Sequence, residues 1–260
     1  MIDYPHIIIT SAPRSGSTAL AKMLGQQEDL FVMNEMGIYD DWENRNKWRN
    51  FIHSKKWINF TANEKIFTAH DLDLYEFREQ VIAQKMSGKD IFNWIVNNMD
   101  VKLIGDKCPI TYLQNMLLFA KKFPAAKFII SIRDGRDVIA SQIRGYYRWP
   151  PGDPDHADHW MKKSVEEAQD LWLNVSKLTI QRLNQIDAER VFIFKYEDAA
   201  LNPSKFEKDL SLFLGVDIHD VSAYFKPVNI GKWKESHPHM MNELTEDFKS
   251  MLRRFNYEEV

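Results

Sequence analysis

Ser11-Ala-Pro-Arg-Ser-Gly-Ser-Thr18 gathers one guanidinium and several hydroxyls around a Pro/Gly turn, a composition suited to holding an anion. Arg14 supplies a fixed cation, and Ser15, Ser17 and Thr18 supply hydroxyl donors. Pro13 and Gly16 shape a tight turn through which backbone N–H groups point inward. A helix starting near Ser17 adds unpaired amides and the positive end of its dipole, both favourable to phosphate or sulfate. The ATP-binding pattern Gly-x-x-x-x-Gly-Lys-[Ser/Thr] is only partly met: Gly16 and Thr18 match, Ser11 stands at the first Gly, and Ser17 takes the place of Lys. A nucleoside triphosphatase needs that Lys on the β and γ phosphates, so the loop favours a phosphate-type ligand other than Mg-ATP.

A second polar group follows the apolar run Lys127-Phe-Ile-Ile-Ser-Ile132. Arg133 directly after a buried strand is placed to chelate a phosphate, and Ser141, two helical turns on, to donate a hydroxyl to the same group. Arg136 reads either as a ligand or as a partner of Asp134 or Asp137. Lys107, in Gly105-Asp-Lys-Cys-Pro109, ends another apolar run.

Strand–helix alternation must position these groups. Strands are expected at Ile7–Ile9, Leu30–Met33, Val101–Ile104, Lys127–Ile132 and Arg190–Lys195. Helices are expected from Ser17 to Gly25, Tyr112 to Phe123, a start after Arg133 to Arg144, Glu166 to Leu183, Phe206 to Leu214 and Leu244 to Phe255. That order predicts a three-layer α/β sandwich with a mostly parallel sheet, in which ligands sit beyond the carboxyl ends of the strands. Residues 39–100 mix aromatics with charges and carry helical spacing at Tyr75–Met86 and Asp90–Asn98. They read as a helical insertion that walls the acceptor side of a cleft. Residues 145–160, with Pro150, Pro151, Gly152 and Pro154, read as a flexible flap. The chain is expected to form one domain over residues 1–260.

Composition narrows the function. Apolar residues make up 44% of the 260 and charged residues 27%, as in ordinary globular proteins. A net charge of -3 gives no support to nucleic-acid binding. Cys108 is the one cysteine, which excludes a disulfide framework and a thiolate cluster. No apolar run approaches the length of a membrane span and no leader pattern opens the chain, so a cytoplasmic protein without stable membrane insertion is expected. His spacing matches no zinc pattern, and no metal is expected. The oligomeric state is left open.

Together, Ser11–Thr18 and Phe128–Ser141 resemble the two cofactor motifs of sulfotransferases that use 3'-phosphoadenosine 5'-phosphosulfate (PAPS), closest in loop pattern to bacterial and tyrosylprotein-type members. Val191–Asp198, Asn202-Pro203 and Leu212–Gly215 resemble the family's next strand and helix, and Lys226–Trp233 its late cofactor lid. The resemblance covers about residues 5–35 and 100–235 and implies a P-loop nucleotide-hydrolase-like fold. It implies that Arg14, Ser15, Gly16, Ser17 and Thr18 hold the 5'-phosphosulfate, that Arg133 and Ser141 hold the 3'-phosphate, and that Tyr196, Lys232 and Trp233 complete the cofactor site. Trp233 would stack on adenine and Lys232 reach phosphate.

The same resemblance assigns Arg14 and Lys107 to charge neutralisation during sulfuryl transfer. Phenol and steroid sulfotransferases carry a His two residues after that Lys, where this chain has Pro109. The tyrosylprotein type carries a Glu near the next strand end, and Glu35, 21 residues beyond Arg14, occupies that place. His70 is a rival base and His53 a weaker one. Gly231 replaces the Ser that precedes the Lys-Trp pair in the tyrosylprotein type, which weakens the case for a peptide tyrosine acceptor. Tyr39, Trp42, Trp48, Trp57 and Phe60, with Tyr146, Tyr147 and Trp149, offer faces for a sugar, phenol or acyl chain. The expected acceptor is a hydroxyl, less readily an amine, of a small molecule, lipid or saccharide. Two other readings stay open: a P-loop kinase, in which Asp106 would bind Mg, and a non-catalytic nucleotide-binding scaffold.

Overall fold

The computed structural model describes residues 6–40, 42–43, 61–144, 146–147, 159–160 and 163–257. Among these described residues the strands are β1 (His6–Ser11), β2 (Leu30–Asn34), β3 (Leu103–Lys107), β4 (Lys127–Ile132), β5 (Tyr146–Tyr147), β6 (His159–Trp160) and β7 (Val191–Lys195). β1 lies at the centre of a five-stranded sheet of order β2-β3-β1-β4-β7, with every pair parallel. Parallel strands need crossover connections, and here each crossover carries helices, so both faces of the sheet are covered.

Alternation along β1 sends Ile8 into one core and Ile7 and Ile9 into the other. The Ile8 side packs under Phe67, Phe77 and Phe92 of the helices Thr61–Ala69, Leu74–Gln84 and Gly88–Asn98, and also under Trp172 and Phe248. Opposite it, helix α1 (Ser17–Leu24) buries Leu20 and Leu24 with Leu210 and Phe225. The expected three-layer α/β sandwich is therefore the architecture found.

Three details differ from expectation. β3 does not stop at Ile104 but continues through Gly105, Asp106 and Lys107, all buried. The chain from Tyr112 to Phe123 forms two helices, Thr111–Gln114 and Met116–Lys122, which meet at Asn115. The helices of residues 61–98 close over the sheet, and none of their residues lines the main cavity. Tyr39 and Trp42, offered as ligand platforms, are 2% and 5% exposed and stack on each other inside the core. His53, Trp48, Trp57, Phe60 and Trp149 lie outside the described residues. Of the expected flap, the described ends pair antiparallel as Tyr146↔Trp160 and Tyr147↔His159. Among the described residues no helix is long and apolar enough to cross a membrane.

Candidate active site

All five strands of the main sheet deliver, at or just beyond their carboxyl ends, a residue to one cavity of about 620 Å³. Arg14 follows β1, Glu35 follows β2, Cys108 follows β3, Arg133 follows β4 and Tyr196 follows β7. This is the edge at which open parallel sheets take ligands, and the volume suits a nucleotide-sized molecule.

The first wall is the loop into α1. Gly16 has φ 91, and a Cβ there would stand 2.5 Å from Cδ2 of Tyr196, so only glycine lets the loop pass. Arg14 is also left-handed, with φ 73, and its Nε donates to Ser141 Oγ at 2.9 Å. Ser17 Oγ accepts from Ser11 Oγ at 2.7 Å and is buried. Ser15 is buried with no partner for its hydroxyl, while its carbonyl accepts from Ser131 Oγ. The amides of the first turn of α1 have no acceptor within the helix, so they add donors at this wall.

Arg133 builds the second wall. Its Nη1 donates to the carbonyl of Arg14 at 3.2 Å and its Nη2 to the carbonyl of Asn229 at 2.5 Å. The guanidinium lies over the Tyr196 ring at 4.6 Å, and Nε is buried without an acceptor. Arg14, Arg133 and Ser141 are thus brought together, as the sequence suggested. Tyr196 is fixed by its hydroxyl, which accepts from the amide of Lys226 at 3.1 Å and from Asn229 Nδ2 at 3.2 Å. Arg136 takes the partner role: it forms a buried pair with Asp134 at 2.7 Å and lies over Trp233.

Glu35 and Lys107 meet at the third wall. Lys107 Nζ donates to Glu35 Oε1 at 2.5 Å and to Thr18 Oγ1 at 3.0 Å. Lys107 is fully buried, the opposite of an exposed strand-end cation, and it lies behind Thr18 and Glu35, which do line the cavity. Glu35 is left-handed at φ 58, and its amide donates to the Lys107 carbonyl at 2.6 Å. Cys108, Pro109 and Ile110 continue this wall as a largely apolar surface. Burial pushes the Cys108 thiol up to about 12, so it stays protonated and inert.

Other expected residues lie elsewhere. His70 shares a hydrogen bond with the carbonyl of Gly25, at the far end of α1 from the cavity, and burial pushes its imidazole below the usual value. Trp233 is 4% exposed, its ring covered by Arg136, and it does not line the cavity. Lys232, at the start of the helix Trp233–Ser236, does not line it either.

Two contributors were given no place in the site from sequence, and a third was given another role. Asn229 lies within the segment Lys226–Trp233 and lines the cavity while bonding both Arg133 and Tyr196. Asp137 accepts from the amides of Gly231 and Trp233 at 2.8 and 3.1 Å and so ties that segment to the Arg133 helix. Asp106, offered as a Mg ligand for a kinase, is turned away from the cavity and accepts from Tyr112 and from the amides of residues 36–38. An isolated Asp beside a Gly gives no sign of such a partner.

Among the described residues no group of His, Cys, Asp and Glu is arranged to hold a metal ion. The model of the sulfotransferase family matches residues 5–220. Protein-tyrosine sulfotransferase 1 of Danio rerio is 23% identical over 230 residues, and the match covers 88% of this chain and 58% of that relative. The chain therefore spans little more than half the length of that relative. The fold is similar to the sulfotransferase domain from the Synechococcus PCC 7002 olefin synthase, with TM-score 0.68, 20% identity, and 98% and 96% of the two chains covered. It is equally similar to the sulfotransferase domain from the curacin biosynthetic pathway, with TM-score 0.68, 19% identity and 99% of each chain covered. The family match runs through the Arg14 loop, the Glu35–Lys107 pair, Arg133 and Tyr196, and on this evidence the chain belongs to the sulfotransferase family.

Proposed function

We propose that the chain transfers a sulfuryl group from PAPS to the hydroxyl of a small-molecule, lipid or saccharide acceptor, with Glu35 as the base. One observation carries this reading: a single cavity is lined by a hydroxyl-rich helix start, an arginine pair and a carboxylate that rests on a buried ammonium. The residues fit such a donor. Arg133, which lines the cavity, has its Nε buried without a partner, and an unsatisfied buried donor costs about 1–3 kcal/mol that an anionic ligand would recover.

In this reading the Arg14 loop and the first amides of α1 hold the 5'-phosphosulfate, while Arg133 with Ser141 holds the 3'-phosphate. The acceptor oxygen attacks sulfur, the new O–S bond forms as the bond from sulfur to the phosphate oxygen breaks, and the acceptor proton passes to Glu35. Arg14 offsets the charge on the departing phosphate oxygen. Lys107 adds its charge from behind Thr18 and Glu35, and with Oε1 on Lys107 the second carboxylate oxygen of Glu35, Oε2, takes the proton. Pro13, Cys108, Pro109 and Ile110 give the acceptor an apolar wall.

Calorimetric titration with adenosine 3',5'-bisphosphate, with EDTA and then with Mg, tests the donor assignment. Equal binding under both conditions is the expected result. A silent titration beside a clear Mg-ATP signal would reject the reading in favour of a kinase.

A further inference from the structure

Glu35 occupies a backbone region that costs a non-glycine residue about 1–3 kcal/mol and persists only where surrounding contacts impose it. Lys107 holds Glu35 itself, and the turn that follows it is held by one buried side chain. Asp106 Oδ1 accepts from the amide of Met36 at 3.1 Å, and Oδ2 accepts from the amides of Gly37 at 2.6 Å and Ile38 at 3.3 Å. The amide of Lys107, at 2.9 Å, and the Tyr112 hydroxyl, at 2.5 Å, complete the set. A carboxylate on five donors is satisfied although Asp106 is wholly buried. Because side chains alternate along β3, Asp106 points to the turn after Glu35 while its neighbour Lys107 reaches Glu35 itself. Two adjacent residues therefore grip the backbone and the carboxylate of the same site.

We infer that Asp106 is a positioning residue: its carboxylate fixes the turn that presents Glu35 to Lys107 and to the cavity. The inference rests on the reading of Glu35 as the base. It also has a pH signature. Burial pushes the Asp106 carboxyl up to about 6, against the Tyr112 hydroxyl and the three turn amides that pull it down. The titratable groups around it are Tyr112, Tyr39 and Cys108, each pushed up by burial first and then by this carboxylate, with Asp40 acting on Tyr112 and Cys108. All three stay protonated below neutrality, and His6, which shares a hydrogen bond with Tyr39, is pushed down to about 4, so of these groups Asp106 is the one raised to about 6. Once protonated it accepts less well from the amides of residues 36–38, and Glu35 loses its support.

Two variants test this. Asp106→Asn removes the charge at constant shape, and Tyr112→Phe keeps the carboxylate while deleting one donor. Amide NMR signals of Met36, Gly37 and Ile38, followed against pH, are expected to show a transition near pH 6 that moves upward in Tyr112→Phe and vanishes in Asp106→Asn. Sulfuryl transfer from PAPS to a panel of phenols and primary alcohols is expected to lose about tenfold to a hundredfold in kcat in Asp106→Asn. The acid limb of the Tyr112→Phe profile is expected to shift with its amide transition. Adenosine 3',5'-bisphosphate affinity should stay within about twofold in both, since neither residue lines the cavity. Amides that do not titrate, or wild-type kcat and pH profile in both variants while Glu35→Gln is inactive, would overturn the positioning role alone. Full turnover in Glu35→Gln would instead overturn the base assignment beneath it.

Discussion

Gly16 decides whether the cradle can exist. Its φ of 91 and the Tyr196 ring 2.5 Å from any Cβ leave no room for a side chain on either count. Gly16→Ala is expected to weaken adenosine 3',5'-bisphosphate binding at least tenfold and to cost about 1–3 kcal/mol of stability. Titration and a chemical melt measure both, and wild-type affinity in the variant would show that the loop tolerates another path. At this scale the sequence was informative where chemistry is local. Arg14, Gly16 and Thr18 lie within five consecutive residues, so their shared purpose is visible in order and spacing. Glu35 and Lys107 are 72 residues apart, and no local signal joins them. Trp233 misled because a Trp after a Lys looks the same in sequence whether it stacks on a ligand or, as here, beneath Arg136.

Strands and helices were legible to the extent that their apolar periodicity was unbroken. β4 matched its expected limits, whereas β3 was cut short because Gly105, Asp106 and Lys107 are poor strand formers. Tertiary pairing with Ile7, Ile8 and Ile9 overrides that preference, and the extension buries Lys107. β1 begins with a second surprise. His6 is 1% exposed, stacked on Phe92 at 4.4 Å and edged by Trp42, and burial pushes its imidazole down to about 4. Its folded value lies below its unfolded one, so the unfolded chain binds the proton first. Stability is full above about pH 6.5 and drains as pH falls towards 4, by up to about 3 kcal/mol from this residue. Asp106, raised to about 6, acts in the opposite sense over nearly the whole of that window. Comparing the wild type with His6→Phe isolates the histidine: denaturant melts from pH 7 to 4 are expected to diverge, the variant losing less. Parallel curves would place the proton elsewhere.

At the scale of the molecule, the strand order β2-β3-β1-β4-β7 gathers residues from positions 13 to 229 into one cavity. Alternating strands and helices predicted the sheet and the edge that carries the cavity, because right-handed parallel crossovers leave few other arrangements. The order of strands, and with it the meeting of Glu35 and Lys107, needed the structure. Residues 61–98 cover one face of the sheet, which their amphipathic pattern does not reveal, because it does not say which surface receives the apolar face. Sulfuryl transfer at Glu35 is open to direct measurement with a sulfur-labelled donor in EDTA, following label passed to a panel of phenols and primary alcohols by the wild type and by Glu35→Gln. Adenosine 3',5'-bisphosphate affinity is measured alongside. The wild type is expected to transfer label and the variant to lose about a hundredfold or more with affinity retained. Undiminished transfer by Glu35→Gln, or a wild type that passes no label and binds only Mg-ATP, would contradict sulfuryl transfer at Glu35.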